Sequence, residues 1–544
     1  EGFVLRVCAG SWTGPFKITR EMTILAEEGP DVTFLNGDGA SAVLSITRVS
    51  GQVGVVGFTV QGGVGATNGG GIVASRSKLL IEGNTIVSNS AVEIGGGLYL
   101  ENCTGSVTGN TIANNTAGSA GGIAVWDGDV TLDGNTISTN KSTSVDEELW
   151  GKGAGGGGLL VYGNSDVLNN LVDSNDSAYN AGGMYLYQGN GTIDGNTVQG
   201  NHGTNDGAGI FINYGSNKVT NNLIQDNVCD DDGGGMRVYV GQGVVVTDNT
   251  FLRNSTVDDG GGLKLSHNRN TIARNYFEGN IAGDAGGGLE LDDETSNVDD
   301  CTFINNQASR GAGMHTWMAG GRITLQNMTF EGNVASVCGG AIGIDNDPIE
   351  VTFRHIVATG NSAVDGGAVC IDKQYQDDEQ VVFEDSNVLF ENVIFAKNSA
   401  SDDGGFLYSV NGHTTFQNVT LYDNTGGEYG GFTLEDSSVS FINSIIADQD
   451  GPNFAGIKTD ETVPSTATFS YNLFFDNDGG YLGIDDPVGS NGNILEDHLM
   501  VDPENGDYSL AAGSPAIDAG DPSIKDTDGS RSDLGAFGGR NGAW

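Results

Sequence analysis

Four ionisable side chains of different types recur at almost one spacing in the middle of the chain. They are Arg237, Lys264, Glu290 and His315, separated by 27, 26 and 25 residues. If that spacing is a structural repeat, the four groups lie on neighbouring repeats. A carboxyl group beside a basic group can act as general acid and general base on a glycosidic bond. The same order of charges also describes a salt-bridge ladder, which stabilises neighbouring strands by roughly a few tenths of a kcal/mol per pair.

The spacing belongs to a repeat that is marked by clusters of glycine, which supplies 89 of the 544 residues. Ten of the thirteen steps between the apolar residues that follow successive clusters are 25 to 27 residues long. The two longest steps contain polar insertions at residues 141–152 and 372–380. The aligned apolar residues are Ile72, Leu98, Ile123, Leu159, Met184, Ile210, Met236, Leu263, Leu289, Met314, Ile342, Val369, Phe406 and Phe432.

Each repeat consists of short apolar runs that alternate with polar residues and end at Gly or Asn, without a helical period. This pattern predicts three short strands per turn of a right-handed, single-stranded parallel β-helix with about 26 residues per coil. About sixteen coils at roughly 4.8 Å each make a rod on the order of 75 Å long. We expect opening coils at residues 1–60, the repeat array at 61–480 and a capping module at 481–544. A recurrent Asn in each coil is expected to tolerate the left-handed conformation and to bond to the next coil.

Charge and composition exclude several classes of function. The net charge of −48 would repel nucleic acid and anionic membranes. No run of 18 apolar residues is present, so no membrane span is expected. The chain begins at Glu1 without a basic or apolar leader, so we expect any signal peptide to have been removed or never to have been part of this sequence. The six cysteines lack metal-binding spacing and are expected to be mostly buried small hydrophobes.

Strand alternation places two residues of each coil on its outer side, namely the first and the third residue after the aligned position. Aromatic rings beside ionisable groups suit both carbohydrate binding and acid–base chemistry on sugars. The predicted strip contains Tyr185, Tyr187, Phe211, Asn213, Arg237, Tyr239, Lys264, Ser266, Glu290, Asp292, His315 and Trp317.

Three interpretations of this strip stay open. In a catalytic site, Glu290 or Asp292 would be the general acid or base, and Arg237 or Lys264 the base or electrostatic stabiliser. In a ligand-binding strip, the two insertions would form the walls of a groove. In the third interpretation the strip is a surface ladder without a ligand.

Carboxylates form a second series just before the glycine clusters. Hard oxygen ligands of this type favour Ca²⁺, although a hydrated acidic edge explains them equally well. The members are Asp206, Asp230, Asp231, Asp232, Asp258, Asp259, Asp284, Asp365, Asp402, Asp403 and Glu428. A further calcium candidate is the loop with Asp526, Asp528 and Asp533, for which the alternative is a loop rich in Asx turns.

Several segments carry a family resemblance. FEGNVASVCGGAI from Phe330 and FEGNIAGDAGGGL from Phe277 resemble the FxxN and GGA(I/L/V) repeats of the chlamydial polymorphic membrane proteins. The two ends of the chain are similar to secreted bacterial right-handed parallel β-helix repeat proteins. The resemblance implies a β-helix and a surface adhesin.

Together these observations predict a secreted or cell-surface structural protein that is not an enzyme. It would present an adhesive face or assemble with itself, end to end or laterally, into filaments stabilised by Ca²⁺. The alternative is a β-helix protein that binds or degrades polysaccharides, as a lyase or glycosidase, with cell-surface or matrix glycans as partners.

Overall fold

The computed structural model describes residues 3–145, 155–294, 296–317, 323–345, 351–372, 387–457 and 464–544. The chain forms a right-handed parallel β-helix of about 17 coils that follow one another about 26 residues apart. This confirms the predicted fold class. The contacts divide the chain into two compact units, Glu1–Thr271 (unit 1) and Ile272–Trp544 (unit 2).

Each coil has three main strands, here called faces 1, 2 and 3, and a short face 4. Face 1 follows the glycine cluster, faces 2 and 3 come next, and face 4 precedes the next cluster. The strands of neighbouring coils pair in parallel, so that Met184 lies beside Ile210 and Tyr187 beside Asn213. The glycine-cluster alignment therefore predicts the register, with one exception. Val369 pairs with Leu407 and not with Phe406, because Phe406 fills the place that Gly or Ala takes in other coils.

Unit 1 contains ten face 1 strands and the strands of faces 2, 3 and 4 that belong to the same coils. On face 1 the strands are Phe16–Ile18, Leu44–Thr47, Ile72–Ser75, Leu98–Glu101, Ile123–Asp133 (which continues into face 2), Leu159–Gly163, Met184–Tyr187, Ile210–Asn213, Met236–Tyr239 and Leu263–Asn268. On face 2 they are Phe3–Val7, Met22–Ala26, Gln52–Val56, Lys78–Glu82, Thr104–Thr108, Val167–Leu168, Thr192–Asp194, Lys218–Thr220 and Val245–Thr247. On face 3 they are Gly10–Thr13, Thr33–Asn36, Thr59–Gln61, Thr85–Val87, Thr111–Ala113, Thr136–Ser138, Leu171–Asp173, Thr197–Gln199, Leu223–Gln225 and Thr250–Leu252. On face 4 they are Val64–Gly65, Ser90–Ala91, Thr116–Ala117, Lys141–Ser142, Asp176–Ser177, His202–Gly203, Val228–Cys229 and Ser255–Thr256.

Unit 2 repeats this arrangement, and four of its strands run without a break from face 2 into face 3. On face 1 the strands are Leu289–Glu294, Met314–Trp317, Ile342–Asp345, Val369–Asp372, Leu407–Val410, Tyr429–Glu435, Asn453–Ile457 and Tyr481–Leu482. The continuous strands are Ile323–Glu331, Val351–Thr359, Asn387–Ala396 and His413–Tyr422. Faces 2 and 3 also contain Thr271–Ala273, Asn297–Asp299, Ser438–Ile442 and Thr466–Ser470, and Tyr276–Glu278, Thr302–Ile304, Ile445–Ala447, Leu473–Phe475 and Ile494–Leu495. Face 4 contains Gln307–Arg310, Val334–Cys338, Ser362–Ala363, Ser399–Ala400 and Thr425–Gly426, and an antiparallel pair, Met500–Asp502 and Asp507–Leu510, flanks the 3₁₀ helix Pro503–Asn505.

The core consists of columns of like side chains from successive coils. In unit 2, Phe277, Phe303 and Phe330 stack with ring centroids 4.9 and 4.8 Å apart. Stacked aromatic pairs of this kind add about 0.5–1.5 kcal/mol each beyond their burial. The regular inward column therefore holds neighbouring coils in register.

Buried asparagines form a second kind of column at the end of face 3. The Asn201 amide donates to the Val172 carbonyl and to Oδ1 of Asn227, and its oxygen accepts from Asn175. The bond to the next coil is as expected. The left-handed conformation is not at the Asn, however, but at the preceding residue, which is Gly200 (φ +60°) before Asn201.

The C-terminal segment packs along the side of the unit 2 coils. Met500, Tyr508 and Leu534 share a buried cluster with Tyr422 and Leu473. Asparagine side chains at the bend between faces 2 and 3 fix its backbone, since Asn392 donates to the carbonyls of Ala536 and Gly538 at 2.8 and 2.7 Å. This segment is thus bound laterally to several coils of unit 2.

One disulfide joins two coils of unit 2, between Cys338 and Cys370. The other four cysteines are free, and Cys103, Cys229 and Cys301 are buried as expected. No helix in the described part of the chain is long and apolar enough to cross a membrane.

Candidate functional site

The predicted strip divides into a buried and a partly exposed half. Five of the six first outward residues are almost fully buried, with exposed fractions of 0% for Tyr185, 1% for Phe211 and His315, 2% for Glu290 and 6% for Lys264. The sixth, Arg237, is partly exposed. Strand alternation overestimates the solvent accessibility of these side chains, because the glycine turn before each face 1 strand lies against them. A Cβ on Gly260 would be 2.5 Å from that of Lys264, and one on Gly286 would be 2.8 Å from that of Glu290.

The second outward residues remain partly exposed, with one exception. Tyr187, Asn213 and Tyr239 in unit 1, and Asp292 and Trp317 in unit 2, are half-buried, whereas Ser266 is buried.

In unit 1 the basic residues of the strip form one cluster with five members of the acidic series, Asp206, Asp231, Asp232, Asp258 and Asp259. The Arg237 guanidinium bonds to Asp206 and Asp232, and the Lys264 ammonium lies 2.9 Å from Asp232 and 2.8 Å from Asp259. These two features, predicted separately, meet because the acidic residues precede the turn that covers face 1.

Carboxylates outnumber cations in this cluster, since Asp231 and Asp258 also belong to it. Burial, with repulsion from Asp232 and Asp231, outweighs the attraction of Arg237 and raises the pKa of Asp206 to about 6. Burial and the neighbouring Asp259 raise the pKa of Asp258 to about 6 as well. The cluster would therefore be stabilised by a proton or by an added cation.

In unit 2 a second buried cluster is centred on His315. Its Nδ1 lies 2.9 Å from Glu290 and its Nε2 lies 3.2 Å from Asp345. Arg310 is 3.0 Å from Asp345 and 3.8 Å from Asp372. Burial opposes a charge on His315, but the Glu290 and Asp345 carboxylates outweigh it and raise the His315 pKa well above its ordinary value.

These geometries bear on the catalytic interpretation. A general acid or base has to reach a substrate atom within hydrogen-bonding distance. Glu290 and Lys264 are instead buried and bonded to protein groups, and so are His315 and most of Arg237. Their burial favours the charge-ladder interpretation of these four residues.

Aromatic side chains on the outer side of the unit 1 coils form a partly exposed column, which we call the aromatic column. It comprises six rings, one from each of six successive coils. Adjacent ring centroids are 5.1, 5.7, 6.0, 6.4 and 5.4 Å apart. The members are Trp126, Tyr162, Tyr187, Tyr214, Tyr239 and His267.

The sequence prediction included Tyr187 and Tyr239 but missed the other four rings. The signal was present, because Trp126 and Tyr162 are the third residues after aligned positions Ile123 and Leu159. Tyr214 and His267 are each the fourth residue after the aligned position, and both take the left-handed conformation (φ +56° and +61°).

Polar groups accompany the rings. The Tyr162 hydroxyl donates to Oε1 of Gln188 at 3.4 Å, and Nε2 of Gln188 donates to the Tyr187 hydroxyl at 3.4 Å. Nδ2 of Asn213 lies 3.3 Å from the hydroxyl of the buried Tyr185. The column thus combines apolar ring faces with amide and hydroxyl groups.

Carboxylate triads that could hold a cation occur at three places among the described residues. Their oxygens lie within 4.8 Å of one another. The triads are Asp206–Asp231–Asp232, Asp232–Asp258–Asp259 and Asp402–Asp403–Glu428.

The Asp526 loop uses its carboxylates for backbone bonds. Asp526 accepts from the N–H groups of Asp533 and Gly539, and Asp528 accepts from the N–H of Ser530 at 2.8 Å. Asp533 accepts from the N–H of Asp518 at 2.7 Å. These bonds favour the Asx-turn interpretation of the loop.

The two insertions that were predicted to wall a groove lie largely outside the described residues, which omit 146–154 and 373–386.

The family model for the right handed beta helix region matches residues 42–203 and 157–330, just over half of the chain, and the chain belongs to this family. The Chlamydia polymorphic membrane protein repeat matches residues 327–345, in agreement with the resemblance found in the sequence. No curated protein matches the chain. Among solved structures, the catalytic domain of a GH87 alpha-1,3-glucanase in complex with tetrasaccharides is 12% identical with a TM-score of 0.19. The match covers 86% of this chain and 63% of the glucanase chain.

Proposed function

We propose that the protein is an extracellular, non-enzymatic surface protein of the adhesin type, which presents a binding face on its β-helix. The observation that carries the proposal is the contrast on face 1. In unit 1, Arg237 and Lys264 are held in ion pairs with carboxylates, whereas the rings of the aromatic column stay partly exposed. In unit 2, Glu290 and His315 are buried in an ion pair. Such a face can bind a ligand without a reaction.

Three further features support a place outside the cytosol. Disulfides such as Cys338–Cys370 persist in oxidising compartments. The net charge of −48 keeps a secreted protein soluble. The repeat at residues 327–345 is of the type found in polymorphic membrane proteins.

The non-enzymatic part is tested by incubating the full chain with a panel of neutral and acidic polysaccharides. Reducing ends and unsaturated products are then measured. We expect no product above the level of heat-denatured protein. Product formation that Glu290→Gln abolishes would overturn the proposal, and Asp129→Asn on the outside of unit 1 is the matched control.

Calcium-dependent self-assembly is a second candidate, favoured by the three carboxylate triads. Carboxylates held this close repel one another unless a cation neutralises them, and Ca²⁺ accepts several carboxylate oxygens. Electron microscopy of the protein in Ca²⁺ and then in chelator tests it. Filaments or sheets that dissolve in chelator support assembly, and single particles in both conditions count against it.

A further inference from the structure

We propose that the aromatic column of unit 1 is a binding site for one chain of a neutral polysaccharide, which runs across the coils along the six rings. The inference deepens the proposed function and rests on the protein meeting glycans outside the cell.

The regular repeat of the column points to a polymer as the ligand. Every coil from Trp126 to His267 contributes one ring, at centroid distances of 5.1 to 6.4 Å. A ligand that repeats the same contact from coil to coil is itself a chain of similar units. A small molecule would use one or two of the rings and leave the others without a role.

The chemistry of the column fits sugar units. A pyranose has apolar C–H faces that pack on aromatic rings, and hydroxyls at its edge that bond to amides and phenols. Tyr214, with 42% of its surface exposed, offers a ring, and Gln188 and Asn213 offer amides beside Tyr187. An extended apolar ligand would displace water from these amides and hydroxyls and would offer them no hydrogen bond in exchange.

The layer beneath the column already supplies the structural packing. Tyr185 and Phe211 stack with centroids 5.2 Å apart and an interplanar angle of 7°, and both are buried. The outer rings meet at larger angles, for example 73° between Tyr187 and Tyr214, and keep part of their surface in solvent. Coil stacking alone does not require aromatic residues in this second layer.

Charge selects a neutral glycan over an anionic one. One guanidinium beside the column, that of Arg237 over the Tyr239 ring at 5.6 Å, is bonded to Asp206 and Asp232. The cluster to which it belongs has more carboxylates than cations. Uronates and sulfated sugars would therefore be repelled.

The test is co-sedimentation with insoluble cellulose and chitin, together with affinity electrophoresis in neutral glucans, mannans and xylans and in anionic polygalacturonate and alginate. We expect wild type to bind at least one neutral polymer and neither anionic one. The double variant Tyr187→Ala/Tyr214→Ala should bind that polymer about tenfold more weakly or worse. The control Trp12→Ala, an exposed aromatic outside the column, should bind as wild type does, and thermal unfolding shows that each variant is folded.

The site inference is overturned if wild type binds none of the neutral polymers, if it prefers the anionic ones, or if the folded double variant binds normally. Failure of the proposed function is distinguishable from these results. Cleavage of a bound neutral polymer would overturn the non-enzymatic function but support the site. Adhesion to cells that the double variant retains would support the function but overturn the site.

Discussion

The Nδ1 atom of His315 lies 2.9 Å from a carboxylate oxygen of Glu290, and both side chains are buried to within 2%. Asp345 holds the other ring nitrogen at 3.2 Å. A histidine between two carboxylates resembles a catalytic arrangement, but here it has no access to a substrate. Its role is to neutralise two buried acids, and its consequences are for stability.

We predict that the stability of unit 2 decreases with pH because of His315. The pKa of His315 is raised in the folded state, so its stabilisation is complete below its ordinary pKa of about 6.5 and is lost as pH rises through the folded pKa. His315→Gln should remove this slope and cost about 3–5 kcal/mol at neutral pH, since Glu290 and Asp345 lose the charge of His315 and Asp345 keeps Arg310. The measurement is chemical denaturation from pH 5 to 9.

His413→Gln, on the outer side of another unit 2 coil, is the control and should keep the wild-type slope. A His315→Gln variant with an unchanged pH dependence would refute the assignment.

Asp258→Asn is expected to stabilise unit 1 at pH 7. Burial and the neighbouring Asp259 raise the Asp258 pKa to about 6, so the folded state loses stability as pH rises from about 4 to 6 and stays less stable above. Because Asp258 is partly solvated, the gain from the amide should be at most about 1 kcal/mol. Thermal unfolding at pH 5 and pH 7 measures the stability difference from wild type. The variant should gain more stability at pH 7 than at pH 5. Asp129→Asn, an exposed acid elsewhere in unit 1, should change stability by less than about 0.5 kcal/mol at both.

The Cys338–Cys370 disulfide should contribute about 3–4 kcal/mol, given its sequence separation of 32 residues. Cys370→Ser should lower the free energy of unfolding by this amount, and a reductant should then have no further effect. Thiol titration of the unreduced, denatured wild type should detect the four free cysteines. Six reactive thiols under those conditions would show that the bond does not form.

Asn201→Ala should destabilise unit 1 by about 3–5 kcal/mol. The Asn201 oxygen accepts from both the backbone N–H and the side-chain amide of Asn175, and each buried donor left unpaired costs about 1–3 kcal/mol. Denaturation monitored by far-UV circular dichroism gives the value. Asn190→Ala, at an exposed position, is the matched control. An equally small effect for both variants would contradict a stabilising role of the buried asparagine column.

Much of the fold could be predicted because a repeat amplifies weak signals. A single Gly–Gly pair before Met184 predicts little, but the same pair before Met236 and Leu263 defines a coil and its register. The structural role of the recurrent Asn followed in the same way, although the left-handed residue proved to be its predecessor, as at Ser174 (φ +54°) before Asn175.

The site was harder to predict, because alternation tells which side of a strand a residue faces but not what covers it. Lys264 points away from the core and is nevertheless buried, since the turn at Gly260 lies over it. The pairing of Arg237 with Asp206 required knowledge of how the acidic turn folds back. Tyr214 was missed because its coil presents the ring one position later than its neighbours do.

The most direct test of the central claim is hydroxyl-radical footprinting of the aromatic side chains with and without a bound neutral polysaccharide. We expect lower oxidation of Tyr162, Tyr187 and Tyr214 in the complex, with Trp12 unchanged. Protection confined to rings outside the column, such as Trp317, would contradict it.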